Sequence, residues 1–277
     1  MSQLKVRKID FQFDDDIALQ WNPQNPYCGN FVNYASLIGP AFERYFIRAT
    51  RDAIPDIHNA SVKKDAELFC QQEAQHSRHH LAHLNMLIKK YPGLDETRQK
   101  ILASYEHLLA TQNRDFHLAY AACIELMFGP LARFVVNNRE PLFAGSDTRI
   151  ASFMLWHLVE EFEHRNSAYD VYNELVGSYW FRLKTVPKVI KHMNDVYQIA
   201  IQGFEQHVPK NEWDAVGPID TSGLCKNISV LSQLGLLYEL ACTLLPYHKP
   251  NNMQQPQWVT QWFADENAGV NMARYYP

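Results

Sequence analysis

Apolar residues recur at three- and four-residue spacings along most of this chain, while period-two alternation is scarce, so the pattern predicts an all-α protein. The exception is Phe11-Gln12-Phe13, a weak alternation that predicts an N-terminal arm. A turn-rich stretch from Trp21 to Asn30 follows it. The first helical pattern has its core from about Ala41 to Ile54, opened or bent at Pro40 and stopped at Pro55. A second helix, with Ser61 as its N-cap, continues to Lys89 and Lys90, whose charges suit its negative end before Pro92-Gly93. Roughly thirty residues at ~1.5 Å each make a rod of about 45 Å, a length suited to a bundle.

Further helices are expected from Asp95 to about Ala110 and from Asn113 to Asn137, the latter bent at Pro130. Another runs from a cap at Ser146 or Asp147 to near Gly177. Pro187 starts one that reaches about His207, Ile228 to Leu245 forms the next, and the tail carries a short helix near Trp258 to Asp265. This divides the chain into an N-terminal arm (1–30), a helix bundle (31–180) and a C-terminal helical extension (181–277). The extension packs on the bundle as part of a single domain.

With 277 residues, 47% hydrophobic and 13% aromatic, the chain can bury a sizeable core, which excludes disorder as its main state. The net charge of -4 comes from 26 basic and 30 acidic residues in no long block, so no nucleic-acid-binding surface is expected. Cys28, Cys70, Cys123, Cys225 and Cys242 show no CxxC spacing. That excludes a zinc ribbon or a disulfide framework and fits reduced thiols in a cytoplasmic protein. Met1 to Asp16 lacks the apolar core of a signal peptide, and Ile228 to Leu245 is interrupted by Ser232, Gln233 and Glu239. No membrane span is expected. An exposed apolar face on that C-terminal helix would suit a homodimer.

The candidate chemistry lies in two copies of one pattern, Glu73-Ala-Gln-His76 and Glu161-Phe-Glu-His164. Residues three apart share a helix face, one turn from each other. Each copy follows a helix with a lone Glu in apolar company, Glu43 before the first and Glu125 before the second. Glu, Glu-x-x-His, Glu, Glu-x-x-His is the ligand set of carboxylate-bridged two-metal sites in four-helix bundles. Glu125 stands inside Ala121-Ala-Cys-Ile-Glu-Leu-Met-Phe128, where a carboxylate is costly unless paired, protonated or metal-bound. Glu43 has Arg44 beside it, so a buried Glu–Arg pair is its non-metal alternative.

Glu73, His76, His80 and His83 project within about 80° of one another at ~100° per residue. His157, Glu160, Glu161 and His164 form a similar stripe. The expected metal ligands are Glu43, Glu73, His76, Glu125, Glu161 and His164, with Glu161 chosen over Glu160 because it repeats the three-residue spacing. Glu160, His80 and His157 are expected as extra ligands or as partners of the ligands. His79, His83 and Glu163 are given surface or hydrogen-bonding roles. Four carboxylates offset two divalent cations. So carboxylate-rich a set favours iron, as Fe/Fe or Mn/Fe, with manganese next and zinc last.

These residues resemble the ferritin-like superfamily of dimetal-carboxylate proteins and, more narrowly, a bacterial family labelled "predicted metal-dependent hydrolase". The resemblance lies in Gly39-Pro-Ala-Phe-Glu-Arg-Tyr-Phe46, in Gln72-Glu-Ala-Gln-His76 with His80, and in Trp156-His-Leu-Val-Glu-Glu-Phe-Glu-His164 running on to Ala168-Tyr-Asp-Val-Tyr172. It implies a ferritin-like four-helix bundle with a dimetal core plus additional C-terminal helices. Ligands in helix interiors favour redox work, so the first expectation is dioxygen activation that oxidises a small organic substrate, with electrons from a donor protein. The alternative is hydrolysis by a metal-activated bridging water, and the third reading is a metal-binding protein without catalysis. Phe69 and Phe128 are expected pocket walls, and Tyr45 or Tyr169 an electron-transfer group.

Overall fold

Asn25 begins the first helix. Its side chain accepts a hydrogen bond from the Cys28 backbone N–H, and Pro26 sits in the first turn, where a missing N–H costs nothing. Helix α1 therefore spans Pro26–Ala53, with Pro40 inside it rather than at its start. This computed structural model describes residues 4–212, 216, 220 and 222–276. Every regular element among the described residues is helical.

Asn59, not Ser61, caps α2 (Ala60–Lys90), accepting from the N–H groups of Ser61 and Val62. The helix ends on Lys89 and Lys90, as the charge pattern predicts. Helix α3 (Leu94–Thr111) leads to α4 (Arg114–Asn137), which Asn113 caps. A short α5 (Arg139–Phe143) precedes α6 (Thr148–His164), capped by Asp147.

The single helix expected to reach Gly177 is broken, and α7 (Ser167–Leu175) begins after the break. Arg165 lies at the break. Its guanidinium donates to the Phe162 and Pro250 carbonyls, and so closes α6 immediately after His164. Helix α8 (Tyr179–His207) starts from a Ser178 cap and carries Pro187 within it, eight residues earlier than the proline suggested. Helices α9 (Val230–Thr243) and α10 (Gln257–Asn267) complete the set.

Helix α1 lies along α2, α4 packs on α6 and α7, and α8 packs on α1, α3 and α4. Leu37, Phe46, Phe69, Phe153 and Trp156 are fully buried where these rods meet. By length and composition α4 could cross a membrane, but it is largely buried in this core. Phe11 and Phe13 form no strand. They lie on an irregular arm, Phe11 against His79 and Trp156 and Phe13 against His83 and Phe153. Val230, Leu231, Leu234, Leu237 and Tyr238 leave α9 with an exposed apolar face.

Candidate metal centre

Four helices each bring an acid to one buried place: α1 Glu43, α2 Glu73, α4 Glu125 and α6 Glu161, none more than 2% exposed. His76 and His164, one turn beyond Glu73 and Glu161, are fully buried beside them. All six predicted ligands meet. Glu43, Glu73 and His76 form one group whose ligand atoms lie within 4.8 Å of one another, and Glu73, Glu125, Glu161 and His164 form a second. Glu73 belongs to both. Glu161 also joins His76 and His157 in a third such group. Glu73 and Glu161 each belong to two of these groups, and the residues present fit a bound metal ion.

Arg44, the alternative partner for Glu43, turns outward to Glu106 instead. Several atoms of the centre are left with lone pairs and no donor. Glu43 Oε2, Glu73 Oε1, His76 Nδ1 and both Glu125 oxygens are buried without a hydrogen-bond partner among the described residues. An unsatisfied buried polar group costs about 1–3 kcal/mol, more when charged, so five converging on one spot fit a cation that would satisfy them together.

The neighbouring groups fix which ring nitrogen faces inward. Gln72 donates its amide to the Lys5 carbonyl at 3.1 Å and to Glu163 Oε2 at 2.6 Å, so its oxygen must face His164 Nδ1, 3.2 Å away. His164 therefore carries a proton on Nδ1 and points Nε2 at Glu161, Glu73 and Glu125, at 3.1, 3.2 and 3.5 Å. A nitrogen lone pair facing three carboxylates needs a proton or a cation between them. His76 is set the opposite way round, donating from Nε2 to Glu160 Oε2 at 3.1 Å and leaving Nδ1 for the centre. Arg7 of the N-terminal arm holds Glu160 in turn. Such partners fix the tautomer and orientation of metal-binding histidines.

A second chain of donors approaches from the other side. His83 Nδ1 lies 2.7 Å from Ser36 Oγ, Ser36 Oγ lies 3.1 Å from His80 Nδ1, and His80 Nε2 lies 2.9 Å from His157 Nδ1. His157 Nε2 then donates to Glu161 Oε1 at 2.8 Å. Every proton in this series is accounted for with all three imidazoles neutral. His80 and His157 thus orient Glu161, and with Glu43 they also form a group whose ligand atoms lie within 4.8 Å of one another.

The titration directions agree with these roles. Burial, then the neighbouring His157, pushes His80 well below the ordinary histidine range, and burial, then His76, lowers His157. Burial alone would also push His76 down, but its bond to Glu160 and the nearby Glu73 carboxylate carry it well above that range. His164 likewise rises, because Glu161 and Glu73 outweigh its burial. Burial, then Glu73, raises Glu43, and burial, then Glu161, raises Glu125. Burial would raise Glu161 too, yet His164 and His157 hold it below the ordinary carboxylate range. The protein without cations thus keeps protons where cations would otherwise sit.

Three expectations need correction. His79 and His83 are not at the surface, being 2% and 0% exposed, because Phe11 and Phe13 of the arm cover them. Glu163 is buried as well and accepts from Arg7 and Gln72, so its hydrogen-bonding role stands and its surface role does not. Phe69 packs edge-on against His164 instead of lining a cavity. Phe128 does line one, an apolar space reaching Glu43, His80 and His157. Tyr45 donates or accepts at His117 Nδ1, 2.8 Å away. Arg7, Gln72 and Ser36 were not anticipated. Of these only Ser36 leaves a trace in the sequence, seven residues before Glu43 and so on the same face of α1.

A family model described as "Predicted metal-dependent hydrolase" matches residues 5–251, which include every side chain of the centre. No curated protein and no solved structure matches the chain significantly.

Proposed function

This chain belongs to the predicted metal-dependent hydrolase family, and on that premise we propose that it is a two-metal hydrolase built on a ferritin-like arrangement of α1, α2, α4 and α6. Glu43, Glu73 and His76 would hold one ion and Glu125, Glu161 and His164 the other, with Glu73 and Glu161 reaching both. The observation that carries this reading is the convergence of buried, partnerless acceptor atoms from α1, α2 and α4 beside Glu161 and His164 of α6. A donor set so rich in carboxylate favours iron or manganese over zinc.

Ions bound there would supply Lewis acidity and bring the pKa of water toward neutrality, which is the chemistry hydrolysis requires. The chain's own residues supply the rest. Arg7 and Glu160 hold the His76 ring, Gln72 holds the His164 ring, and the series from His83 to His157 holds Glu161. Glu43 lines the adjoining cavity, so with one oxygen given to an ion its other oxygen can exchange a proton with a bound substrate. Apolar neighbours limit bulk water at the same place.

The test is turnover of phenyl acetate, a small apolar ester, by metal-loaded protein under nitrogen. Hydrolysis that a chelator abolishes and that consumes no oxygen is the expected result. Absence of hydrolysis combined with oxygen uptake by the ferrous protein would instead support the second reading. That reading is an iron or iron–manganese enzyme that oxidises a small organic molecule with electrons from a donor protein. The apolar lining of the cavity beside Glu43 favours it.

A further inference from the structure

Between α1, α4, α6 and α8 lies a cavity of about 180 Å³ that ends on Glu43, His80 and His157. Its walls are Ile38, Phe42, Phe128, Met193 and Tyr197, and Phe31 stands at its outer end, 43% exposed. We propose that this cavity binds a small, uncharged, mainly hydrocarbon molecule that enters past Phe31 and turns one polar group toward Glu43, His80 and His157. The inference rests on the proposed two-metal function but concerns binding alone.

Size sets the class of ligand. An engineered apolar cavity of about 150 Å³ takes up benzene, so this space suits a single aromatic ring or a short aliphatic chain. Charge narrows it further. No lysine or arginine lines the cavity, and an anion would approach the Glu43 carboxyl without a counter-charge. One polar group can still be received, at Glu43 Oε2 in the metal-free form and at the hydroxyl of Tyr34, another lining residue, in either form, both being buried with no hydrogen-bond partner.

Access follows the same line. The His157 side chain is 12% exposed, whereas those of Glu73, His76, Glu125, Glu160, Glu161 and His164 are 0–3% exposed. The path from solvent therefore leads to the His157 side of the centre. Gly39 belongs to the inner end: a Cβ there would come within 2.8 Å of His80 Cδ2, so only glycine lets α1 approach the ring so closely. Met193 and Tyr197 come from α8, which gives the C-terminal part of the chain a share in the site. A cleft of about 600 Å³ between α1 and α2, lined by Arg44 and Arg78, is wider but reaches none of the centre's side chains.

The test uses the full chain, metal-free and metal-loaded, with ¹³C-methyl methionine, and follows the Met193 signal, assigned with Met193→Leu, during titration with toluene or benzoate. Toluene should shift that signal in both forms and bind at least about tenfold more tightly than benzoate, whose charge finds no partner. Ala35→Phe, which fills the space without altering a proposed ligand, should weaken toluene binding at least about tenfold while metal content stays the same. Should that variant fail to fold, the two titrations of the unmodified protein decide. An unmoved Met193 signal, or equal binding of benzoate, overturns the proposal. Because the readout is binding without turnover, its failure leaves hydrolysis standing; toluene binding in a protein that hydrolyses nothing counts against hydrolysis alone.

Discussion

Arg7 Nη1 lies 2.9 Å from Glu160 Oε1, and the other oxygen of that carboxylate receives the His76 ring, so an arginine on the arm sets the orientation of a candidate ligand on α2. Both partners of the ion pair are buried. Removing Arg7 would leave Glu160 and Glu163 without their counter-charge. Arg7→Ala should cost about 3–5 kcal/mol of stability by chemical denaturation. It should also weaken metal binding at the His76 position by about 10- to 100-fold in a competitive chelator titration. Arg7→Lys should restore part of the stability but not the two-pronged grip on Glu160 and Glu163.

Glu125 offers two oxygens to the centre and has no other partner. Glu125→Ala should therefore remove at least one ion per chain in elemental analysis of the reconstituted protein. Glu125→Leu separates binding from folding. It should raise the melting temperature of the metal-free protein, because a buried acid without donors is replaced by a side chain suited to the site. The metal-loaded protein should lose stability from the same substitution.

Metal loading should release protons. Glu43, Glu125, His76 and His164 are all raised in the metal-free protein and must deprotonate to act as ligands. Affinity should accordingly fall as pH falls, and a weakly buffered indicator should record proton release on adding manganous ion. A pH-independent affinity would remove these groups from the ligand set.

The same groups set how the metal-free stability depends on pH. Each holds its proton in the folded state above the pH at which the unfolded chain releases it, so its stabilising contribution shrinks as pH rises toward the folded value. His79, His80, His83 and His157 are lowered and act in the opposite direction, but only below the ordinary histidine value of 6.5. Above pH 6.5 the raised groups of the centre act first, and the buried thiols and phenols, also raised, join them in the same direction only above about 9. The melting temperature of the metal-free protein should thus decline from there into the alkaline range, and saturating metal should flatten the decline.

Ser36 joins His80 to His83, and Gly39 lets α1 approach His80. Ser36→Ala would leave two buried ring nitrogens without a partner, at a cost of about 1–3 kcal/mol. Gly39→Ala would push on the ring itself, at a similar cost of about 1–3 kcal/mol. Both should keep their metal and lose turnover, measured as kcat on the loaded protein. Gly39→Ala should also shift the His80 ring signals in the NMR spectrum.

The six converging side chains were legible because their signals are local. A Glu and a His one turn apart reveal a face, and an acid inside an apolar run such as that around Glu125 reveals a burial in need of explanation. Helix ends marked by Asn113, Asp147 and Lys89-Lys90 were legible for the same reason. What escaped depends on distant partners. Arg7 and Glu160 lie 153 positions apart, and nothing near either announces the other. The break at Arg165 depends on the Pro250 carbonyl, and the burial of His79 and His83 on two phenylalanines far up the chain. The prolines misled in a different way. Pro187 suggests a beginning and Pro40 either a beginning or a bend, but Asn25 and Ser178 supply better caps earlier, and the surrounding helices tolerate the lost N–H.

Arg7 also has consequences for biosynthesis. It is translated well before its partners Glu160, Glu163 and Glu266, the last of them on α10. The segment around Arg7 must therefore wait without these contacts until α6, and for the last of them α10, has emerged. During that interval Glu160 and Gln72 lack their contacts with it, so the orientation of the His76 ring is settled only when the later helices arrive.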